Sequence, residues 1–249
     1  MDRRTMLMSL LAGSGMLAPQ SLPAEESALA QEPSKPDPSL YIPRAHLVEE
    51  RKFLHDFMDE FPFVDVVTVS PTLRITHIPT VLDRTAGSYG TILGHISAQN
   101  PQRVTFDGTH TAVIVFRGPH GYISPTWYEK TDVTPTWNFS VVHASGRPKA
   151  ITDKRETREL LARLIAKFEK SVGSTSYDFS KLPDSYVSRM MEGIAPFHMD
   201  IEALEGKFKL GQERTVGDRR GVLEHLQKGA YRERSLYEVT DAFYRTVPK

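Results

Sequence analysis

Apolar residues recur at the spacing of an α-helix in several parts of the chain. The pattern is fullest in residues 153–172. The apolar positions there are Leu160, Leu161, Leu164, Ile165 and Phe168. Because residues three and four apart share one face of a helix, this segment predicts an amphipathic helix. The same spacing is weaker in three other segments that we also predict to be helical, residues 47–58, 184–194 and 221–227.

Short runs rich in β-branched residues alternate with turn signals in the first part of the chain. These runs are residues 63–70, 73–79, 90–97, 111–117 and 139–146, with a later one at 197–204. Ser70-Pro71 and Asp107-Gly108 are typical turn dipeptides between such runs. Closely spaced strands of this kind indicate an antiparallel barrel or sandwich. We therefore predict an α+β fold, with a small antiparallel barrel at its centre and flanking helices.

The first thirty residues have the composition of a targeting segment. Arg3 and Arg4 precede an apolar run over residues 6–18, and Ala28-Leu29-Ala30 is a small-x-small cleavage signal. The paired arginines resemble a twin-arginine export signal, which predicts a periplasmic or extracellular protein. A general secretory signal and a short membrane anchor are the alternatives. The run is short and contains Gly and Ser, so no membrane span is expected after cleavage.

The rest of the chain divides into a linker, one domain and a tail. Residues 31–39 contain three prolines and are predicted to be a linker, residues 40–230 the domain, and residues 231–249 a C-terminal tail. The chain has 249 residues and no cysteine, which excludes cysteine-ligated zinc, iron–sulfur clusters and thiol catalysis. Its 31 basic residues equal its 31 acidic ones, and no basic run marks a nucleic-acid surface. Motifs of serine hydrolases, P-loop proteins, dinucleotide-binding proteins and zinc proteases are missing.

Two strand histidines are candidate ligands. Alternation places His95 on the same face as Leu93 and Ser97, opposite Ile92 and Ile96. Gly94 beside His95 would let a planar ligand approach. A neutral imidazole there could bind haem iron, donate a hydrogen bond to a flavin, or cap a backbone carbonyl, and the residues alone leave these alternatives open. For His77 a structural role is the simpler interpretation.

Aromatic and basic side chains suggest a ligand surface. Both tryptophans, Trp127 and Trp137, fall in one stretch with hydroxyls and further rings, a composition suited to a flat ligand or to a second subunit. Lys207 and Lys209 alternate with Phe208 and Leu210, so the two lysines would share one face. The pair would bind an anion or be exposed on an edge strand. The other candidates in the aromatic stretch are Tyr122, Ser124, Thr126 and Tyr128.

These segments, taken in order, resemble the PaiB-type proteins of the FMN-binding split-barrel superfamily. The segments that carry the resemblance are Tyr41-Ile42-Pro43, Thr76-His77-Ile78-Pro79, Gly94-His95, Asn100-Pro101, Phe116-Arg117-Gly118-Pro119-His120, Tyr122-Ile123-Ser124-Pro125, Trp127-Tyr128, Pro135-Thr136-Trp137-Asn138, Val142-His143 and Glu205-Gly206-Lys207-Phe208-Lys209-Leu210. The resemblance implies a homodimer of split barrels with a flat cofactor, FMN or haem b, at the subunit interface. A related branch, the piperazate synthases, implies His95 as an axial haem ligand. The cofactor-binding residues then expected are Thr76, His77, Gly94, His95, Ser97, Gln99, Asn100, Tyr122, Ser124, Trp127, Trp137, Lys207 and Lys209.

The chain departs from the family pattern at two places. Gln99 stands where the family has an arginine, and Gly211 and Glu213 replace a serine and an asparagine. Both changes reduce anion binding, so they count against FMN phosphate more than against an iron–histidine bond. We expect an exported, dimeric, redox-related protein. The alternatives are a non-catalytic ligand or haem binder, and the negative transcriptional regulator that the family label implies, which export and neutral charge disfavour.

Overall fold

A computed structural model of the chain describes residues 38–174, 176–229 and 231–246. The predicted export signal and most of the predicted linker lie outside these residues. These residues contain nine strands: β1 (Leu47–Val48), β2 (Phe63–Val69), β3 (Leu73–Pro79), β4 (Val81–Asp83), β5 (Thr91–Ser97), β6 (Ala112–Ile123), β7 (Thr136–Gly146), β8 (Lys149–Ala150) and β9 (Ile194–Lys209). Within the same described ranges there are five α-helices: α1 (Arg51–Glu60), α2 (Lys154–Ser171), α3 (Asp184–Glu192), α4 (Val216–Lys228) and α5 (Tyr231–Thr246). No helix in the described residues has the length and apolar character needed to cross a membrane.

The strands form an antiparallel sheet in the order β3-β2-β6-β7-β9-β5-β4. The long strand β9 also pairs with β1 and β8, so it has four partner strands in all. The two ends of the sheet approach each other on its inner face. A Cβ on Gly94 of β5 would lie only 3.1 Å from Ile78 Cδ1 of β3. The sheet thus curls into a barrel, and the predicted α+β class is confirmed.

The core lies inside this barrel and under α1 and α5. Phe208 of β9 is fully buried, with its ring centroid 5.2 Å from Phe53, 5.0 Å from Phe57 and 5.8 Å from Phe243. Leu210 is also buried, so the alternation that places Phe208 and Leu210 inward and the two lysines outward is confirmed. A second apolar cluster joins α2 to the outer face of β4 and β5.

Several elements differ in length from the sequence prediction. The first helix begins at Arg51, because the Glu50 carboxylate accepts hydrogen bonds from the Lys52 and Phe53 amides and caps it there. Strand β6 continues past Gly118-Pro119 through an irregularity in its pairing with β7, so both strands run beyond the predicted bounds. Strand β9 joins the predicted strand 197–204 to the lysine-rich segment.

The C-terminal segment, which the sequence prediction leaves as a tail, contains α5. Leu236, Thr240 and Phe243 form its buried face at helical spacing. The polar Thr240 interrupts the apolar pattern, but its hydroxyl donates to the Leu236 carbonyl at 2.7 Å and is satisfied within the helix. This back-bonded threonine is the reason the pattern is hard to see in the sequence.

Candidate functional site

The outer ends of β6, β7 and β9 carry exposed rings next to lysines. Register pairs Tyr122 with Trp137, His120 with Phe139, and Phe139 with Lys209. Since alternate residues of a strand share a face, these side chains form one patch. We call this patch the aromatic–cation surface and define it as His120, Tyr122, Trp137, Phe139, Lys207 and Lys209.

The rings of the aromatic–cation surface hold one another in place. The Trp137 centroid lies 6.4 Å from Tyr122 and 5.8 Å from His120, and Trp137 Nε1 donates to His120 Nδ1 at 3.2 Å. Tyr122 is nevertheless 49% exposed and Trp137 46% exposed. Large rings fixed in orientation but left half in solvent are suited to stacking against a flat partner.

The two lysines supply positive charge beside these rings. Lys209 Nζ donates to Thr136 Oγ1 at 2.6 Å, and Lys207 Nζ donates to the Tyr41 carbonyl at 2.8 Å. Lys207 also lies over the rings of Tyr41 and Phe139, 5.5 Å and 5.6 Å from their centroids. Within the described residues neither lysine pairs with a carboxylate, so both charges remain available to an anion.

The segment that precedes β1 lies across β7 and β9 beside this surface. The Ser39 hydroxyl donates to Glu205 Oε2 at 2.6 Å and lies 3.0 Å from His143 Nδ1. Burial lowers the pKa of His143, and the Glu205 charge opposes that shift. The Ser39 and Tyr41 contacts therefore fix one border of the aromatic–cation surface.

Trp127 and Ser124 do not belong to this surface. Trp127 packs against α4, with its ring stacked on His225 at 5.2 Å and an interplanar angle of 10°. The Ser124 hydroxyl accepts a hydrogen bond from the Thr126 amide at 3.2 Å and caps the short turn that carries Trp127. The sequence groups the two tryptophans because they are close along the chain, whereas the turn directs them to different faces.

Thr76 and Asn100 meet in a buried hydrogen-bond network. Thr76 Oγ1 donates to Gln102 Oε1 at 2.5 Å and accepts from Asn100 Nδ2 at 2.9 Å. Gln102 is fully buried and donates onward to the Val66 carbonyl at 2.9 Å and to Thr68 Oγ1 at 3.1 Å. The network fastens the segment after β5 to β2 and β3. Sequence reasoning missed Gln102, because only burial distinguishes it from an exposed glutamine.

His77 lies on the outer face of β3 in a charged row. Its Nδ1 is 2.5 Å from Asp65 Oδ1, and the other oxygen of Asp65 is 2.5 Å from Arg117 Nη2. The row crosses three neighbouring strands of the sheet. Its members are mutually paired, which agrees with the structural interpretation of His77.

His95 lies on β5 with the exposure that alternation predicts. It is half-buried and burial lowers the pKa of its imidazole, which favours the neutral form. No described residue hydrogen-bonds its ring. A side chain at Gly94 would project from the opposite face of β5, where Ile78 and Phe197 occupy the space it would need. Nearby, the Ser97 hydroxyl accepts from the Gln99 amide at 3.2 Å, and both residues are exposed.

The structure thus separates the predicted site residues into five places. Tyr122, Trp137, Lys207 and Lys209 share the aromatic–cation surface, and Thr76 and Asn100 share the network around Gln102. Gly94, His95 and Ser97 lie on β5, with Gln99 just after it. His77 lies in the charged row, and Ser124 and Trp127 lie at the turn that packs against α4. Over the part of the chain that the structure describes, no three His, Asp or Glu side chains are placed to hold a metal ion. The candidate residues of one chain therefore lie on different strands and do not converge in one place.

Comparison with known proteins identifies relatives over most of the chain. Residues 40–203 match the family described as "Putative FMN-binding domain". The chain is 33% identical over 189 residues to protease synthase and sporulation protein PAI 2 of Bacillus subtilis, covering 76% of this chain and 89% of that protein. It is 29% identical over 238 residues to an uncharacterized protein of Aspergillus fumigatus, covering 76% of this chain and 91% of that one.

A solved structure shares the fold. The flavocytochrome Anf3 of Azotobacter vinelandii superposes with a TM-score of 0.50 at 13% identity, over 68% of this chain and 72% of that one. At this identity the likeness speaks for the fold alone. Together with the family match, it confirms the predicted antiparallel split barrel with flanking helices.

Proposed function

The chain belongs to the PaiB-type family of FMN-binding split-barrel proteins, and from that premise we propose that it is a homodimer that holds FMN where its two subunits meet. The aromatic–cation surface is the observation that carries this proposal. FMN combines a flat ring system with a phosphate, and this surface combines half-exposed rings with two lysines free of carboxylates. The residues therefore fit the cofactor.

Each part of the surface has a role in this proposal. Trp137 and Tyr122 stack against the isoalloxazine ring, while Lys207 and Lys209 bind the phosphate. When bound, FMN would supply electron or hydride transfer. The protein orients the ring and excludes water from one of its faces. Since Gln99 replaces a family arginine, the two lysines carry more of the phosphate binding.

Haem b is a second candidate, and His95 is the observation that favours it. Burial lowers the pKa of its imidazole, which favours the neutral form, and the ring has no hydrogen-bond partner among the described residues. A neutral, unpaired ring nitrogen is the form that binds haem iron. His95 and the aromatic–cation surface lie on different strands, so the proposal assigns FMN to the surface and haem to His95.

A second copy of the chain would cover the apolar outer face, which we define as Val69 of β2 with Leu73 and Ile75 of β3. These neighbouring side chains are between 52% and 65% exposed. Neighbouring apolar side chains exposed on a protein surface are typical of an interface. The face belongs to the same sheet as the aromatic–cation surface, so a partner seated on it would extend toward that surface. This arrangement supports the proposal that a cofactor is enclosed by two subunits.

Redox chemistry is the proposed activity, with cofactor storage without turnover as the alternative. The regulator function suggested by the family label requires contact with DNA. The balanced charge of the chain offers no support for such a contact. We therefore propose the cofactor-binding function over the regulatory one.

The absorption spectrum of the full-length protein tests the cofactor proposal. We expect flavin bands after purification or after addition of FMN, and a Soret band if haem b is bound. Replacing Lys207 and Lys209 together by glutamine removes both charges, so FMN affinity should fall at least about tenfold. Replacing His95 by alanine should abolish a Soret band and leave flavin bands intact.

The matched control for the two lysines is Lys170→Gln, which removes an exposed charge from α2. It should bind FMN like the unaltered protein. A protein that stays colourless with both FMN and haem b would contradict the proposal. A Soret band that persists in His95→Ala would remove His95 as the ligand.

We also propose export through the twin-arginine route to the periplasm, on the basis of Arg3, Arg4 and the apolar run that follows. Replacing both arginines by lysine should leave the full chain in the cytoplasm, because the route depends on the guanidinium pair. Fractionation followed by immunoblotting measures the distribution. Normal processing of this variant would rule the route out, although a general secretory signal would then remain.

A further inference from the structure

A cleft of about 780 Å³ lies away from the proposed cofactor residues. Its walls are the segment before β1, the first turns of α4 and the end of α5. We call it the arginine cleft and define it by Arg44, Arg219, Arg220, Leu47, Leu223 and Phe243. None of the candidate cofactor residues lines it, so it is a separate feature of the fold.

The charges in the arginine cleft are unbalanced. Within the described residues none of Arg44, Arg219 and Arg220 pairs with a carboxylate. Arg219 lies over the Tyr244 ring, 5.3 Å from its centroid, which leaves its donors available. Glu213 also lines the cleft, and its carboxylate is 3.8 Å from His46. Three guanidinium groups against one engaged carboxylate give the cleft a net positive charge.

The floor of the cleft is apolar. Leu47 is 40% exposed and Val216 is 60% exposed at its edge, and Leu223 and Phe243 continue the apolar lining inward. Apolar side chains exposed beside unpaired cations form an amphipathic cavity. Its volume lies within the range of small-molecule sites.

The walls of the cleft are fixed by hydrogen bonds. The Tyr244 hydroxyl donates to the Leu210 carbonyl at 2.7 Å, and burial raises the pKa of this phenol to about 12, so it remains a donor. The Gln212 amide nitrogen donates to the Phe208 carbonyl at 2.6 Å, and its oxygen accepts from the Leu210 amide at 2.8 Å. The amino end of α4 also faces the cleft, and its partial positive charge adds to that of the arginines.

A small chamber behind the cleft carries unsatisfied polar atoms. Asn138 Oδ1 and Arg214 Nε are buried and have no hydrogen-bond partner among the described residues. The chamber shares Arg219 and Tyr244 with the arginine cleft. Buried polar atoms without partners are unusual and costly in folded proteins. A buried acceptor and a buried donor therefore lie in the chamber next to the arginine cleft.

We propose that the arginine cleft binds an amphipathic organic anion, a small molecule with an aromatic or apolar body and a phosphate or carboxylate group. The guanidinium groups of Arg219 and Arg220 bind the anionic group, since their planar fork matches phosphate and carboxylate oxygens. The apolar floor takes the body of the ligand. This site is independent of the proposed cofactor site.

Isothermal titration of the full-length chain with phenyl phosphate tests the proposal, with phenol and inorganic phosphate as partial ligands. We expect phenyl phosphate to bind more tightly than either part. The double substitution of Arg219 and Arg220 by glutamine should weaken it at least about tenfold. Arg44→Gln, on a different element, should weaken it as well, and it guards against misfolding of the α4 variant.

Arg189→Gln is the matched control, because it removes an exposed arginine of α3 that lies outside the arginine cleft. Its affinity for phenyl phosphate should equal that of the unaltered chain. The proposal would be overturned if the unaltered chain did not bind phenyl phosphate. It would also be overturned if the folded Arg219/Arg220 and Arg44 variants bound it as tightly as the unaltered chain. The cofactor spectrum of these variants should be unchanged, so the two proposals can fail separately.

Discussion

Replacing Phe208 by alanine is expected to lower the free energy of unfolding by about 3–5 kcal/mol, the usual cost of removing a buried phenylalanine. Phe208 is fully buried, and its ring contacts Phe53 and Phe57 of α1 and Phe243 of α5. The cavity would therefore open where both helices meet the barrel. These rings come from distant parts of the chain, so little local rearrangement can fill the space.

Chemical denaturation followed by circular dichroism measures this loss. The control is Val172→Ala, since Val172 is 76% exposed at the end of α2. Its effect should stay within about 0.5 kcal/mol. A similar stability for Phe208→Ala and the unaltered protein would contradict the packing described for β9, α1 and α5.

Replacing Ile75 by glutamate is expected to convert the proposed dimer into monomers. Ile75 is 52% exposed on β3 and belongs to the apolar outer face. In a two-fold symmetric interface the substitution acts twice and brings like charges into an apolar contact. Such contacts cost several kcal/mol, so the dissociation constant should rise about 1,000-fold.

Analytical ultracentrifugation of the full-length chain measures the change. Met190→Glu serves as the control, because Met190 is 40% exposed on α3, away from the apolar outer face. It should leave the oligomeric state unaltered. A monomeric starting protein would refute the dimer proposal, and a dimer that survives Ile75→Glu would place the interface elsewhere.

Much of the fold is predictable from the sequence because the strands alternate clearly. Ile92 and Ile96 are buried while Leu93 and His95 are half-buried, as period-two spacing requires. The α2 helix matches its prediction within about one residue at each end. By contrast, β6 and β7 are longer than predicted, because the strand predicted to end at Arg117 continues through an irregularity at Gly118-Pro119 and stays paired.

The candidate site is less predictable, because it depends on contacts between distant segments. The shared face of the two lysines is predictable from their alternation with Phe208 and Leu210. The hydrogen bonds that join Thr76 to Asn100 and to the buried Gln102 are not predictable, because contacts across 24 to 26 positions leave no local pattern in the sequence. Trp127 and Trp137 likewise separate only when the turn between β6 and β7 is folded.

The position of β9 along the chain has a consequence for synthesis. Strands β5 and β7 both pair with β9, which begins only at Ile194. While the ribosome is still translating the preceding residues, each of these strands keeps one edge without a partner. Unpaired edges invite association between nascent chains. The barrel can therefore close only after β9 has been synthesised. A chaperone that shields the unpaired edges of β5 and β7 until then would raise the yield of folded protein.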